Sequence, residues 1–139
     1  MHFKSQIATT REQSGRLLAL GLKPETADMY LEKCRLPEAG DYYLHALTKD
    51  INPEQWFSAR MNRDIVPAWS LSRLLELLPQ YIDEEEGVQL MIEPLLIVYY
   101  DTQYKGHHHF TTNPNIFENC ISMISWLIAN GHFNKEYLK

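Results

Sequence analysis

The feature that most limits what this chain can fold into lies near its end, where Phe117, Cys120, Ile121, Ile124, Leu127 and Ile128 recur at helical spacing. That spacing puts all six on one side of an α-helix. Asn113 can accept the orphan amides of a first turn, and Pro114 suits the first helical position, where a missing N–H costs nothing. Gly131 then supplies a left-handed stop, and Phe133 beyond it fits the apolar contact of a Schellman-type ending. These signals predict a helix over 114–130. Such a helix must lie on another apolar surface.

The nearest surface is a β-rich stretch. Val88–Glu93 and Leu95–Tyr100 are rich in strand formers, and Pro94 between them implies a bulge, an edge position or a break. Leu95–Tyr100 is apolar on both sides, which suits a central strand. Asp101-Thr102 can turn the chain back into Gln103–Phe110. Strict alternation there places Tyr104, Gly106, His108 and Phe110 on one face and Gln103, Lys105, His107 and His109 on the other.

Two more helices carry start and stop signals. Thr9 with Glu12, or Thr10 with Gln13, fits a capping box before Leu17, Leu18 and Leu20, and Gly21 and Pro24 end the run, giving a helix at about 11–20. Ser70 precedes Leu71, Leu74, Leu75 and Leu78, one buried face ended by Pro79, with Leu77 widening the stripe. Residues 22–66 signal less. Asn52-Pro53-Glu54-Gln55 reads as the start of a short helix, and Met29-Tyr30-Leu31 and Tyr42–Leu47 are candidate extended pieces.

Composition excludes several classes. At 139 residues with 45% hydrophobic residues, the chain can bury roughly two-thirds of its unfolded surface as one domain without disulfides. A net charge of −5 gives no basic footprint for nucleic acid. The longest apolar run, Leu95–Tyr100, is far short of the roughly 18 residues of a membrane helix. The start, Met1-His2-Phe3-Lys4-Ser5-Gln6, has no apolar core of a secretory signal. Two cysteines, Cys34 and Cys120, suit a reduced compartment, so a cytoplasmic protein is expected.

Candidate chemistry is sparse. His107 and His109, sharing a strand face, are the one pair spaced to hold a metal, with His132 or Asp101 as conceivable third ligands. Lys105 on that face opposes a cation. Cys120 falls on the apolar stripe, where a thiol behaves as a small hydrophobe. Cys34, between Lys33 and Arg35, has no flanking catalytic signature. Asp83-Glu84-Glu85-Glu86 lacks the alternate ligand spacing of a calcium loop and reads as a solvated turn. No phosphate-binding glycine loop, nucleophile elbow or His-Glu-x-x-His stands in the sequence. Trp56, Trp69 and Trp126 have no basic stripe around them and read as core or core-edge residues.

Short blocks at both ends and in the middle cover about a third of the chain and carry a resemblance. They are Thr10-Arg11-Glu12-Gln13-Ser14 running into Leu18-Ala19-Leu20-Gly21-Leu22, then Thr26-Ala27-Asp28-Met29. Pro67-Ala68-Trp69-Ser70-Leu71 with Leu74 and Leu75, and Trp126-Leu127 with Asn130-Gly131, complete the set. Together they resemble a group of small uncharacterised proteins of Bacteroides-type gut bacteria and their phages and mobile elements. The resemblance implies an origin and no mechanism.

The expected fold is therefore α+β, one domain over 1–139. A small antiparallel sheet around the hairpin at about 95–110 is packed by helices at about 11–20, 71–78 and 114–130. No catalytic, cofactor or metal residue is assigned. The favoured reading is a non-enzymatic accessory or interaction protein with a protein partner or a second copy of itself. A metal-dependent protein using His107 and His109 is the first alternative, and a nucleic-acid-binding accessory, disfavoured by charge, the second.

Overall fold

Side-chain caps decide where each of the main helices begins. Thr10 accepts a hydrogen bond from the Gln13 amide at 3.2 Å while Gln13 accepts from the Thr10 amide at 3.1 Å, a closed capping box that opens α1 (Arg11–Ala19). Thr9, the other candidate, is used elsewhere: its hydroxyl accepts from the Trp69 amide at 3.0 Å. Gly21 follows α1 at φ 101°, a conformation a side chain would strain.

The computed structural model describes residues 5–35, 42–62, 64–103 and 106–139. The chain divides into two units, Met1–Arg73 with Tyr137–Lys139, and Leu74–Glu136. In the first, β1 (Met29–Lys33) lies between β2 (Tyr42–Ala46) and β3 (Ile65–Ala68), both antiparallel to it. Leu31 stands opposite Leu44 and Val66, so these share one face of the sheet. There Leu31 and Ala68 form a buried cluster with Ala8, with Met29, Tyr42, Leu44 and Val66 packed around it. Tyr30 faces the other way and meets Trp56 of α2 (Pro53–Arg60) at 4.3 Å between ring centres. Asn52 caps α2 by accepting from the Gln55 amide at 3.1 Å, with Pro53 at its first position, as the sequence implies.

Trp69 anchors this unit. It is fully buried, its indole N–H donates to Thr26 Oγ1 at 3.0 Å, and its carbonyl accepts from the Thr9 amide at 2.9 Å. The adjacent Ser70 donates through its amide and its hydroxyl to the Asp28 carboxylate, at 2.9 and 2.5 Å. Its hydroxyl also accepts from the Arg73 amide at 3.1 Å, which caps α3 (Leu71–Leu77). The chain end returns to the same unit, Leu22 bridging to Leu138.

The second unit begins within α3, where Leu74 and Leu77 are buried. Its sheet runs β4 (Tyr81–Asp83), β5 (Val88–Glu93), β6 (Leu96–Asp101) and β7 (Gly106–Thr112), all antiparallel in that order. Here β6 is central, as its two-sided apolarity predicts, and Pro94-Leu95 forms the tight turn joining β5 to β6. The last helix, α4 (Ile116–Ala129), packs on β6 and β7. Phe117, Cys120, Ile121, Met123, Ile124 and Leu127 are buried along it. Gly131 at φ 74° and the Leu127 carbonyl, accepting from the His132 amide at 2.9 Å, end the helix in the Schellman pattern.

Three expectations need correction. The start of α4 lies two residues later than the Asn113-Pro114 signal implies. Asn115 is the cap, its side chain accepting from the Phe117 and Glu118 amides at 2.9 and 3.3 Å, while Asn113 accepts from the Asn115 amide at 2.8 Å and so shapes the approach. The described residues form two small sheets rather than one, and α1 contacts β3 of the three-stranded sheet within its own unit. The return strand runs Gly106–Thr112; Tyr104 and Lys105, assigned to it from sequence, lie outside the described residues. The α+β class stands. Among the described residues, no helix is long and apolar enough to cross a membrane.

Candidate functional site

The three consecutive histidines sit on β7, at the edge of the four-stranded sheet, and the strand is not regular there. Tyr99 pairs with His109 but the next residue, Tyr100, pairs with His107, so His108 is an extra residue in a β-bulge. A bulge resets the alternation of side chains. His107 shares the side of Tyr100, with ring centres 6.1 Å apart, and also meets Phe110 at 5.6 Å. His109 shares the opposite side with Tyr99, which faces α4. The expected His107–His109 pair is therefore split across the sheet, and Asp101 is on the His109 side, opposite Gly106. Among the described residues no group of three or more His, Cys, Asp or Glu is gathered for a metal ion.

What the bulge builds instead is an aromatic cluster around Trp126 of α4. His109 stacks on the indole with ring centres 4.2 Å apart and planes within 5°. His132 lies at 5.6 Å, His108 edge-on at 6.1 Å, and Tyr99 at 6.4 Å. Burial against this cluster, and secondarily the charge of neighbouring His108, hold the His109 imidazole below its ordinary pKa. Burial also pushes the Tyr99 hydroxyl up; it donates to the Pro79 carbonyl at 2.7 Å. The arrangement docks β7 onto α4 through ring contacts.

The other candidates take structural places. Cys120 is fully buried and its thiol is pushed up to about 12 by desolvation, which removes the thiolate a nucleophile needs. Cys34 is buried and donates to the Tyr43 hydroxyl at 3.5 Å. Asp83 accepts from the Glu86 amide at 2.9 Å, so the acidic run closes its own exposed turn before Gly87 at φ 72°. Trp69 is core, and Trp56 lies against Tyr30 with Arg60 over its ring at 5.4 Å. An open cleft of about 370 Å³ in the first unit is bordered by Glu25, Glu54, Phe57, Ser58, Met61 and Lys139. Its one hydroxyl nucleophile, Ser58, has no histidine among the cleft residues to activate it.

The feature that sequence reasoning missed is the other side of the four-stranded sheet. Register places Tyr81, Gln89, Tyr100 and His107 in one row of that face, Met91, Val98 and Phe110 in the next, and Glu93, Leu96 and Thr112 in the third. Val98 is buried, but Met91 is 40% exposed, Tyr81 44% and Phe110 51%. Three large side chains are thus exposed on the sheet face turned away from α4, while Ile92, 43% exposed, stands on the α4 face. The signal was hidden because the bulge moves His107 onto this face beside Phe110. No protein-family model matches the chain, and no curated protein or solved structure was found to be similar to it.

Proposed function

We propose that this chain is a non-enzymatic interaction protein, an accessory of a bacterial mobile element or phage working in the cytoplasm. Its contact surface is the face of the β4–β7 sheet turned away from α4. The exposure of Tyr81, Met91 and Phe110 in adjacent rows of the face turned away from α4 carries this reading. Aromatic and methionine side chains are the residue types that dominate contact surfaces. The free thiols of Cys34 and Cys120 suit a reducing compartment, and the sequence blocks that resemble proteins of mobile elements motivate the origin.

Affinity capture with the untagged 139-residue chain coupled to beads tests it. A stoichiometric partner, a second copy included, should be retained by the natural chain and lost with Phe110→Glu. Recovery of no partner, or of one indifferent to Phe110, counts against the reading.

A further inference from the structure

We propose that His108, His109 and His132 form an acid-sensitive latch on Trp126, which holds the bulged half of β7 on α4 at neutral pH and releases it in mild acid. Four rings touch the half-buried indole, and three of them are imidazoles, two from β7 and one from the segment after α4. Imidazole is the side chain whose ordinary charge change falls between about pH 5 and 8. Three of them on one indole make a contact that mild acid charges from several sides.

The surroundings decide what that charge does. His45, in the other unit, has the Glu32 carboxylate at 3.5 Å to take up a positive charge. Among the described residues His108, His109 and His132 have no such partner. β7 carries no Asp, Glu, Lys or Arg over Gly106–Thr112, and its remaining histidine, His107, is on the other side of the sheet. From β6, Tyr99 and Asp101 share this side. Tyr99 donates to the Pro79 carbonyl, and Asp101 accepts from the Gln103 amide at 2.9 Å in the turn that ends the strand. β5 brings only Val88, Leu90 and Ile92. The one charged residue of α4, Glu118, is in its first turn, about two helical turns before Trp126, and Lys135 and Glu136 beyond the helix are exposed.

A first positive charge finds one compensation, the π face of the indole, and only His109 lies flat on it, within 5°. His108 is turned by 75° and His132 by 31°, so further charges meet a like charge across one ring in a partly desolvated place. Burial and the neighbouring imidazole already disfavour the charged form of His109, so stacking does not outweigh them. Lifting the strand hydrates the rings. The lifted state therefore takes up protons more readily than the docked one and gains population as pH falls.

β7 is also built to yield locally. It is the edge of its sheet, paired with β6 alone, and the bulge at His108 interrupts that ladder. Past the bulge, Thr111 donates to the Asn119 carbonyl at 3.2 Å, and Phe110, Thr111 and Thr112 pair in register with Val98, Ile97 and Leu96. That half stays tied to β6 and α4 while residues 106–109 lift.

NMR on the untagged 139-residue chain, following the histidine ring protons and amide exchange, tests this. Between about pH 7.5 and 5 the His109 ring protons should lose the shift that the indole imposes on them. Over the same range the β7 amides before Phe110 should lose protection about tenfold or more, with β5 and Phe117–Leu127 of α4 changing less than about threefold. H108Q/H132Q, which keeps the stacked ring and removes two of the charges, should cut the β7 loss to about threefold or less, and His107→Gln, on the other side of the sheet, should leave it whole. His108→Gln alone changes an exposed side chain and should give an intermediate loss, which keeps the test readable if the double variant does not fold. A stack that persists or tightens at pH of about 5 overturns the proposal. So does a β7 loss shared equally by β5 and α4, a full loss in H108Q/H132Q or His108→Gln, or a loss abolished by His107→Gln.

Discussion

The two sheets of this molecule are alike in construction and unlike in how their faces are used. The three-stranded sheet has apolar contacts on both sides: Leu31, Val66 and Ala68 lie in the cluster with Ala8, and Tyr30 on the other side takes Trp56 of α2. The four-stranded sheet has α4 on one side and leaves Met91, Phe110 and Tyr81 exposed on the other. Both are short antiparallel sheets with edge strands. A sheet buries two faces only when the chain provides an element for each, and the second unit has one long helix where the first has elements on two sides. Tyr43 on the Tyr30 side of the first sheet and Ile92 on the α4 side of the second are also exposed, so the two sheets differ in degree.

The largest expected effects break the two closed sides of the comparison. Trp69→Ala removes a fully buried indole and its bond to Thr26, and should cost about 3–5 kcal/mol of unfolding free energy in denaturant titration. Leu127→Ala on the buried stripe of α4 should cost about 2–5 kcal/mol. Hydrogen exchange sharpens the pair: Trp69→Ala should deprotect β1 and β3 first, and Leu127→Ala β6 and β7. Equal deprotection of both sheets by either variant would show that the two units do not open separately.

Smaller is the cap. Asn115→Ala should cost about 1 kcal/mol, because two amides of the first turn lose their acceptor, and should cost more than Asn113→Ala. The reverse order in thermal melts would restore Asn113 as the cap.

The pH dependence is next. The folded state holds the His109 pKa below its unfolded value of about 6.5. On acidification the unfolded chain therefore takes up this proton first. The contribution to stability is complete above the unfolded value and is lost as pH falls through it toward the folded one. Melts followed by Trp126 fluorescence should show this acid loss, and His109→Phe, which keeps a ring on the indole, should reduce it. An unchanged acid slope in that variant would assign the loss to other groups.

The smallest effect is expected on the open face. Phe110→Glu should change stability by no more than about 0.5 kcal/mol when the chain is dilute, in contrast to the closed-face variants. A loss comparable to that of Leu127→Ala would mean the face is part of the core.

Much of the helical architecture was legible because its signals are local. Thr10 and Gln13, Asn52 and Pro53, Ser70 and its leucines, and the Phe117–Leu127 stripe ending at Gly131 each act over three or four residues, the reach of a helical hydrogen bond. Strand content was partly legible: β6 shows its centrality in two apolar faces, and Met29 and Tyr42 begin strands in a region with little periodicity. Asn113 and Asn115 are both competent caps, so local chemistry alone did not decide between them.

Sequence by itself thus determined the α+β class, the caps of α2 and α3 and most of the buried stripe of α4. Tertiary structure alone decided that Met29–Lys33 pairs with Ile65–Ala68 in a second sheet, because strand partners are chosen across long separations by faces that must be buried together. It also decided that His108 is an extra residue against β6. That register sends His107 to the open face beside Phe110 and His109 to Trp126, because one inserted residue reverses every side chain on one side of it.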